Sequence, residues 1–280
     1  LALYSAGALE KVSGCKNKME IRTNQQWLWA VPVSLAALVM AGCQEQPAPQ
    51  PEQASMTQQE NVQTIPLIQA KVVPVKLSKP EACDAEGCTQ YEIQTVKSNL
   101  KWVDDYFIDR VKKADPIAFS TAPNEKINTA EGASPDLSQS STYIRFVSQQ
   151  YDRATFAIQT YTYSSGAAHG MYHQEFVNFD LKNKKRLALQ DILMKGTEQQ
   201  LLNTLYDSNS IWLEQHSIER DKLKLSDNFY YGANGIVFVY PLYELASYAE
   251  GMTELTLPYS ALSKLIKAEY LPSLPKYPTP

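Results

Sequence analysis

His169, His173 and Glu175 carry side chains that bind metals and stand close together in the sequence. Alternating along a strand, they would share one face. Gly166 and Gly170 argue against a helix at this point, and Gly170 follows His169, so the zinc-protease order His-Glu-x-x-His is absent. Polysaccharide deacetylases also use a His-x-x-x-His pair, but the Asp-Asp-Gly motif that supplies their acid is missing. The competing and favoured reading makes His169 a hydrogen-bonded structural residue and His173 a surface residue. Ser164 and Ser165 lie near His169, yet no Gly-x-Ser-x-Gly occurs, and neighbouring positions in a sequence do not make a catalytic triad. Gly-x-Gly-x-x-Gly and Walker patterns are absent too. No catalytic residue, metal site or cofactor is therefore assigned. A hydrolase or deacetylase acting on cell-wall glycan is kept as the alternative.

The four cysteines carry a different chemistry. From Met19 the chain reads as a short polar stretch with Arg22, an apolar run from Trp27 to Gly42, and then Cys43. That is the order of a secretory signal peptide. The run holds 16 residues, Pro32 among them, short of the ~20 a spanning helix needs. Its end, Leu38-Val39-Met40-Ala41-Gly42-Cys43, resembles a bacterial lipobox, with Met40 where leucine is usual. The resemblance implies that Cys43 becomes the lipidated first residue and attaches the protein to a membrane through its acyl chains, where more than one chain is needed for stable anchoring. Gln44 rather than Asp follows it, which in a Gram-negative host implies the outer membrane, facing the periplasm. Residues 1–18, Cys15 included, are expected to be an untranslated upstream extension, and 19–42 the signal peptide. In an exported protein, Cys83 and Cys88 most simply form a disulfide at a hairpin tip.

Composition narrows the classes further. The chain has 280 residues, 44% hydrophobic and 20% charged, with 26 Lys and Arg against 30 Asp and Glu. Wholesale disorder and a multi-span membrane protein are both disfavoured. The net charge of −4 leaves no electrostatic footprint for nucleic acid. Removing residues 1–42 takes away four basic and two acidic residues and leaves −6.

The elements that would position these residues follow from periodicity. Residues 43–64 contain the lipidated cysteine and a proline-bearing polar tether too poor in apolar groups to order itself, with a reach of ~25 Å as a coil and ~70 Å extended. Strands are expected around Lys71–Leu77 and Tyr91–Thr95. A helix capped by Ser98 should run from Asn99 to about Lys113, since Leu100, Val103, Phe107 and Val111 recur at helical spacing. The polar stretch Ala114–Ser141 marks a long loop and a boundary between subdomains. Beyond it, strands are expected at Tyr143–Ser148, Ala154–Tyr163, Glu175–Leu181 and Arg186–Leu189. A helix bearing Leu201, Leu202 and Leu205 should start at a Thr197/Gln200 capping box, with a second helical piece at Ile211–His216. Asn234-Gly235 should turn a hairpin, followed by a strand at Thr253–Leu257 and a closing helix at Ala261–Glu269 capped by Ser260. The fold class is α+β: two small subdomains of mainly antiparallel sheet with helices packed on one face.

In order and spacing, several segments resemble the RsiV-like DUF3298 domain: Tyr161-Thr162-Tyr163, Gly166-Ala167-Ala168-His169-Gly170, Asn178-Phe179-Asp180-Leu181, Leu189-Gln190-Asp191-Ile192-Leu193, Tyr243 to Gly251, and Pro258-Tyr259-Ser260. The likeness covers Tyr143 to Ile266, and Lys71–Val111 is similar to the DUF4163 unit that usually precedes it. The resemblance divides the chain into a DUF4163-like subdomain with its polar loop at 65–141, the RsiV-like domain at 142–270 and a proline-rich tail at 271–280. It implies an extracytoplasmic, noncatalytic binding module. The partner it suggests is a lysozyme-type muramidase or peptidoglycan. Family members often carry glycine where Ala167 stands.

Tyrosines number 17, against 8 Phe and 4 Trp. Tyr161, Tyr163, Tyr172, Tyr240, Tyr243 and Tyr248 gather around the segments that carry the resemblance. Exposed, such rings bind protein or stack on sugars; buried, they are ordinary strand residues. Tyr161, Tyr163, His169, Tyr243, Glu244 and Tyr248 are taken as the candidate binding set. Glu244 is either a buried cap for backbone amides, the favoured reading, or a contact residue.

Overall fold

The computed structural model describes residues 65–85, 87–125 and 137–272. Cys15, the expected signal peptide, Cys43, the expected tether and the tail beyond residue 272 lie outside them. Among the described residues, no helix is long and apolar enough to cross a membrane.

The first part of the chain forms β1 (Ala70–Pro74), β2 (Glu81–Cys83), β3 (Cys88–Ser98) and the helix α1 (Lys101–Ala114). Then come β4 (Leu137–Gln150), β5 (Arg153–Tyr163), β6 (Met171–Asp180) and β7 (Lys185–Leu187). These strands make one sheet in the order β1-β3-β4-β5-β6-β7, with β2 paired to β3. All its pairings are antiparallel except β3 with β4. The remainder builds three helices, α2 (Leu189–Ile192), α3 (Glu198–Ser208) and α4 (Ser210–Gln215), and a second sheet of β8 (Phe229–Tyr231), β9 (Gly235–Tyr240) and β10 (Thr253–Pro258), ordered β10-β9-β8.

Alternation along the strands sorts residues into layers. Ile144, Ala154, Phe156, Ile158, Val177 and Phe179 project from the large sheet onto Val103, Phe107 and Val111 of α1. Phe179 receives Trp102, Tyr106 and Phe107 edge-on at 5.1–5.8 Å between ring centres. On the opposite face, Ala157 and Phe176 meet Val237 and Val239 of the small sheet. The far side of that sheet, with Ile236, Phe238, Tyr240, Leu255 and Leu257, packs under Leu189, Leu201, Leu205 and Leu213 of the helices. The order is helix, sheet, sheet, helices.

Asn228 joins the two sheets. β7 pairs only with Asn178–Asp180, which leaves the rest of that β6 edge open. There the Asn228 carboxamide accepts from the Phe176 N–H at 2.8 Å and donates to the Gln174 carbonyl at 2.7 Å, while its own carbonyl accepts from Val239 N–H. One side chain thus satisfies edge groups that would otherwise be orphaned.

Several expectations need correction. The boundary placed at 114–141 is crossed by the parallel β3–β4 ladder, so strands from both sides of the polar stretch share one sheet. Strand β4 already begins at Leu137, inside the stretch expected to be loop; its Ser138–Ser141 segment is polar because it lies near an open face. Helix α1 starts at Lys101 with Leu100 at its cap, since the Ser98 hydroxyl is drawn to Asp104 at 2.7 Å while accepting the Leu100 N–H. Thr197 makes no capping box; its hydroxyl donates instead to Met194 and Leu265 carbonyls. No closing helix forms at 261–269, where only single turns occur at Tyr259–Ala261 and Ala268–Tyr270. Leu265 and Lys267 spend their backbone groups on Met194 and Ile192, and Leu262, Leu265 and Ile266 are buried by that pairing.

Candidate binding groove

The small sheet covers only part of the large sheet's second face. Beyond Ala157 and Phe176 the registers continue in rows: Gln94, Tyr143, Gln159 and Gln174 lie side by side, and next to them Glu92, Ser141, Tyr161 and Tyr172. Paired residues project to the same face, so these rows form an open floor of phenol rings and amides. Tyr143, Tyr161 and Tyr172 are 37–41% exposed. Gln159 donates to the Gln174 amide oxygen at 2.8 Å. Met252, Val239, Glu250, Gly251 and Glu254 rise beside the floor, enclosing a groove of about 490 Å³.

Two glycines fit the tyrosines into place. A Cβ on Gly170 would lie 2.3 Å from the Tyr161 ring, so only glycine lets this backbone rest on it. Gly251 has φ +83°, and a Cβ there would sit 2.8 Å from the Tyr172 hydroxyl.

At one end of the groove, the loop before β6 meets the segment after β9. The His169 imidazole stacks on Tyr248 at 4.1 Å, and the Tyr248 hydroxyl donates to the Gly170 carbonyl at 3.0 Å. That same carbonyl faces His169 Nδ1 at 3.0 Å; a carbonyl only accepts, so Nδ1 carries a hydrogen. Nε2 lies 3.4 Å from the Tyr243 hydroxyl. Tyr243 is 56% exposed and has φ +67°, a left-handed conformation that a bulky residue adopts only when its surroundings impose it.

Of the candidate binding set, His169, Tyr243 and Tyr248 are in contact, and Tyr161 joins them through Gly170. Tyr163 pairs with Gln139 toward the end of the β4–β5 ladder and does not line the groove. The favoured reading of Glu244 needs correction: its side chain is exposed rather than a buried cap. His173 lines the groove, but Glu175 is held by ion pairs to Arg110 and, at 3.9 Å, to Arg186. His169 lies outside the strand, so the three residues do not share a strand face. Among the described residues, ligand atoms of Glu81, Cys83 and Cys88 do converge within 4.8 Å, but Cys83 and Cys88 are bonded to each other as a disulfide. Ser165 accepts no role from His169; its N–H donates to Ser138 Oγ at 3.0 Å.

Sequence reasoning missed the other wall residues. His216 Nε2 lies 2.6 Å from Glu250 Oε2, and the second Glu250 oxygen accepts from Ser247 Oγ at 3.0 Å. The Trp212 carbonyl and then Glu250 raise the His216 pKa above 6.5, and the hydrogen bonds from His216 and then Ser247 hold Glu250 below 4.5. No motif joins residues 34 positions apart. The paired Tyr/Gln rows were visible as strand alternation, but alternation does not say which face stays uncovered.

Residues 179–260 match the family model described as DUF3298, a protein of unknown function. The match contains Tyr243, Tyr248, Glu250 and His216, and excludes His169 and the floor tyrosines Tyr161 and Tyr172. No curated protein matches the chain in sequence. Among solved structures, a DUF3298 family protein from Pseudomonas aeruginosa PAO1 aligns with TM-score 0.56 at 19% identity, covering 75% of this chain and 100% of that one. A DUF3298 member from Bacteroides fragilis NCTC 9343 aligns with TM-score 0.51 at 18% identity, covering 73% and 96%. The chain thus carries a DUF3298 match in its second half, on a fold similar to that of solved DUF3298 proteins.

Proposed function

We propose that the protein is a noncatalytic binding module held at the bacterial cell envelope by a lipidated Cys43, and that its ligand lies along the open floor of β4, β5 and β6. The observation that carries this reading is the cross-strand pair Tyr161–Tyr172 beside the hydrogen-bonded amides of Gln159 and Gln174. Phenol faces offer flat apolar platforms with a polar tip, and amides both donate and accept. That combination suits an N-acetylated sugar chain of the cell wall, whose ring faces are apolar and whose substituents are hydroxyls and amides. No lysine or arginine is among the residues lining the groove, which is consistent with a ligand that is not strongly anionic.

A second reading, a basic envelope protein of the lysozyme-type muramidase class, is favoured by Glu250 and Glu254 on the groove wall and by the net charge of −6 left after residue 42. Calorimetry with soluble N-acetylglucosamine oligomers, and separately with a purified muramidase, tests both. Tyr161→Ala and Tyr172→Ala should each weaken binding about tenfold if the floor is used. Muramidase binding should also fall as salt rises, whereas sugar binding should not. Unchanged binding of either ligand by both variants would remove the floor from consideration.

A further inference from the structure

The groove wall has a support that rests on an unusual histidine, and its role builds on the binding reading above. His216 follows the end of α4 with its ring flat on Trp212, 3.8 Å between ring centres and 20° between planes. Both of its nitrogens face acceptors. Nδ1 lies 2.8 Å from the Trp212 carbonyl and Nε2 lies 2.6 Å from the Glu250 carboxylate. Neither acceptor has a hydrogen to give when Glu250 is ionised, so both contacts are hydrogen bonds only when both ring nitrogens are protonated. Glu250 and Gly251 line the groove. Tyr248, in the same short turn, carries the stack on His169.

We propose that His216 is a proton-dependent latch: as the imidazolium it fixes Glu250 and with it the Tyr248–Gly251 wall of the groove, and on losing its proton it lets that wall slacken. The charged group facing it from the wall segment is Glu250; Glu214, on its own helix, has an exposed side chain and meets His216 through the backbone, its carbonyl accepting from the His216 N–H. The Trp212 ring covers the imidazole, and the Trp212 carbonyl supplies the other acceptor. Neutral His216 keeps one N–H and must give up one of the two bonds. The contribution of His216 is complete below its ordinary 6.5 and is lost as pH rises through its raised value. That of Glu250 is complete above its ordinary 4.5 and is lost as pH falls through its lowered value. The latch is therefore whole between those two ordinary values; it opens on the alkaline side through His216 and, at the acid extreme, through protonation of Glu250.

The test uses the full chain without ligand. NMR follows the ring resonances of the three histidines through a pH titration, and hydrogen exchange follows the amides of Tyr248–Gly251 over the same range. His216 should titrate above 6.5, and Glu250→Gln should move that titration downward. After correction for intrinsic base catalysis, the wall amides should exchange about two- to fivefold faster once His216 has lost its proton. In His216→Gln they should be fast at every pH. A titration at or below 6.5 that Glu250→Gln leaves unmoved, or wall exchange indifferent to the state of His216, would overturn the latch. Because these readouts involve no ligand, a groove that binds neither sugar nor muramidase would refute the binding reading and leave the latch to be decided on its own.

Discussion

Gly170 and Tyr161 occupy space that only a glycine and an aromatic ring can share: a Cβ at 170 would stand 2.3 Å from the ring carbon Cζ. The near atoms are the far end of a ring that is 38% exposed, so either the ring or the Gly170 backbone must shift to admit a methyl, and the stack of ring on backbone is lost. Gly170→Ala should lower stability by ~1–3 kcal/mol, the usual penalty for overpacking. Combining it with Tyr161→Ala should recover most of the loss. Chemical denaturation of both single variants and the double variant measures the coupling.

Asn228 offers a comparable test between the sheets. Its carboxamide makes two bonds to the β6 edge, at 2.8 and 2.7 Å. Asn228→Ala leaves a donor and an acceptor without partners, at ~1–3 kcal/mol for each group left unsatisfied. Urea unfolding should show a lowered midpoint. If the midpoint is unchanged, the bridge contributes nothing net.

The Cys83–Cys88 bond closes a loop between residues five apart in sequence, at directly paired positions of β2 and β3. So short a loop constrains the unfolded chain modestly. Replacing both cysteines by serine should cost about 2 kcal/mol. Thermal unfolding with and without reductant provides the check, and the groove residues should keep their chemical shifts.

A buried tyrosine and its half-buried neighbour predict an alkaline limit. Burial pushes the Tyr231 phenol up to about 12, with Arg153 opposing the shift, and burial followed by Glu254 raises Tyr230 to about 12. Each is neutral in the folded state over a range where the unfolded phenol, at 10, has begun to ionise. Stability from these groups is therefore present below 10 and declines as pH rises from there toward the folded values. Absorbance titration of phenolate should show a late class of tyrosines whose ionisation coincides with loss of near-ultraviolet circular dichroism.

Local patterns in the sequence were most legible where one contact layer decides the structure. Val103, Phe107 and Val111 recur with the period of a helix that buries one stripe, and α1 is that helix. The hairpin expected at Asn234-Gly235 forms between β8 and β9, but one residue earlier: Gly232 N–H donates to the Gly235 carbonyl at 2.9 Å, Ala233 and Asn234 make the tip, and Gly235 opens β9 with the Leu257 carbonyl 2.1 Å from where a Cβ would be. Failure came where distant segments compete for the same backbone groups. Residues 261–269 have apolar spacing suited to a helix, yet Leu193 and Ile266 bridge instead. The candidate site was legible in part: His169 and Tyr248 were both singled out, and they stack. His216 with Glu250, and the uncovered rows of Gln159 and Gln174, depend on where the small sheet stops, and no local pattern encodes that.

The parallel ladder between β3 and β4 has a consequence for biogenesis. A strand made early in synthesis waits for partners 49 residues later, and until then the outward rim of β3 is a template for any extended chain nearby. Cutting the protein at the polar stretch would create the same hazard twice over, since each fragment would carry a raw sheet margin. Expression of the second half alone is thus a recipe for self-association, and the family-matched segment should be studied with its upstream strands attached.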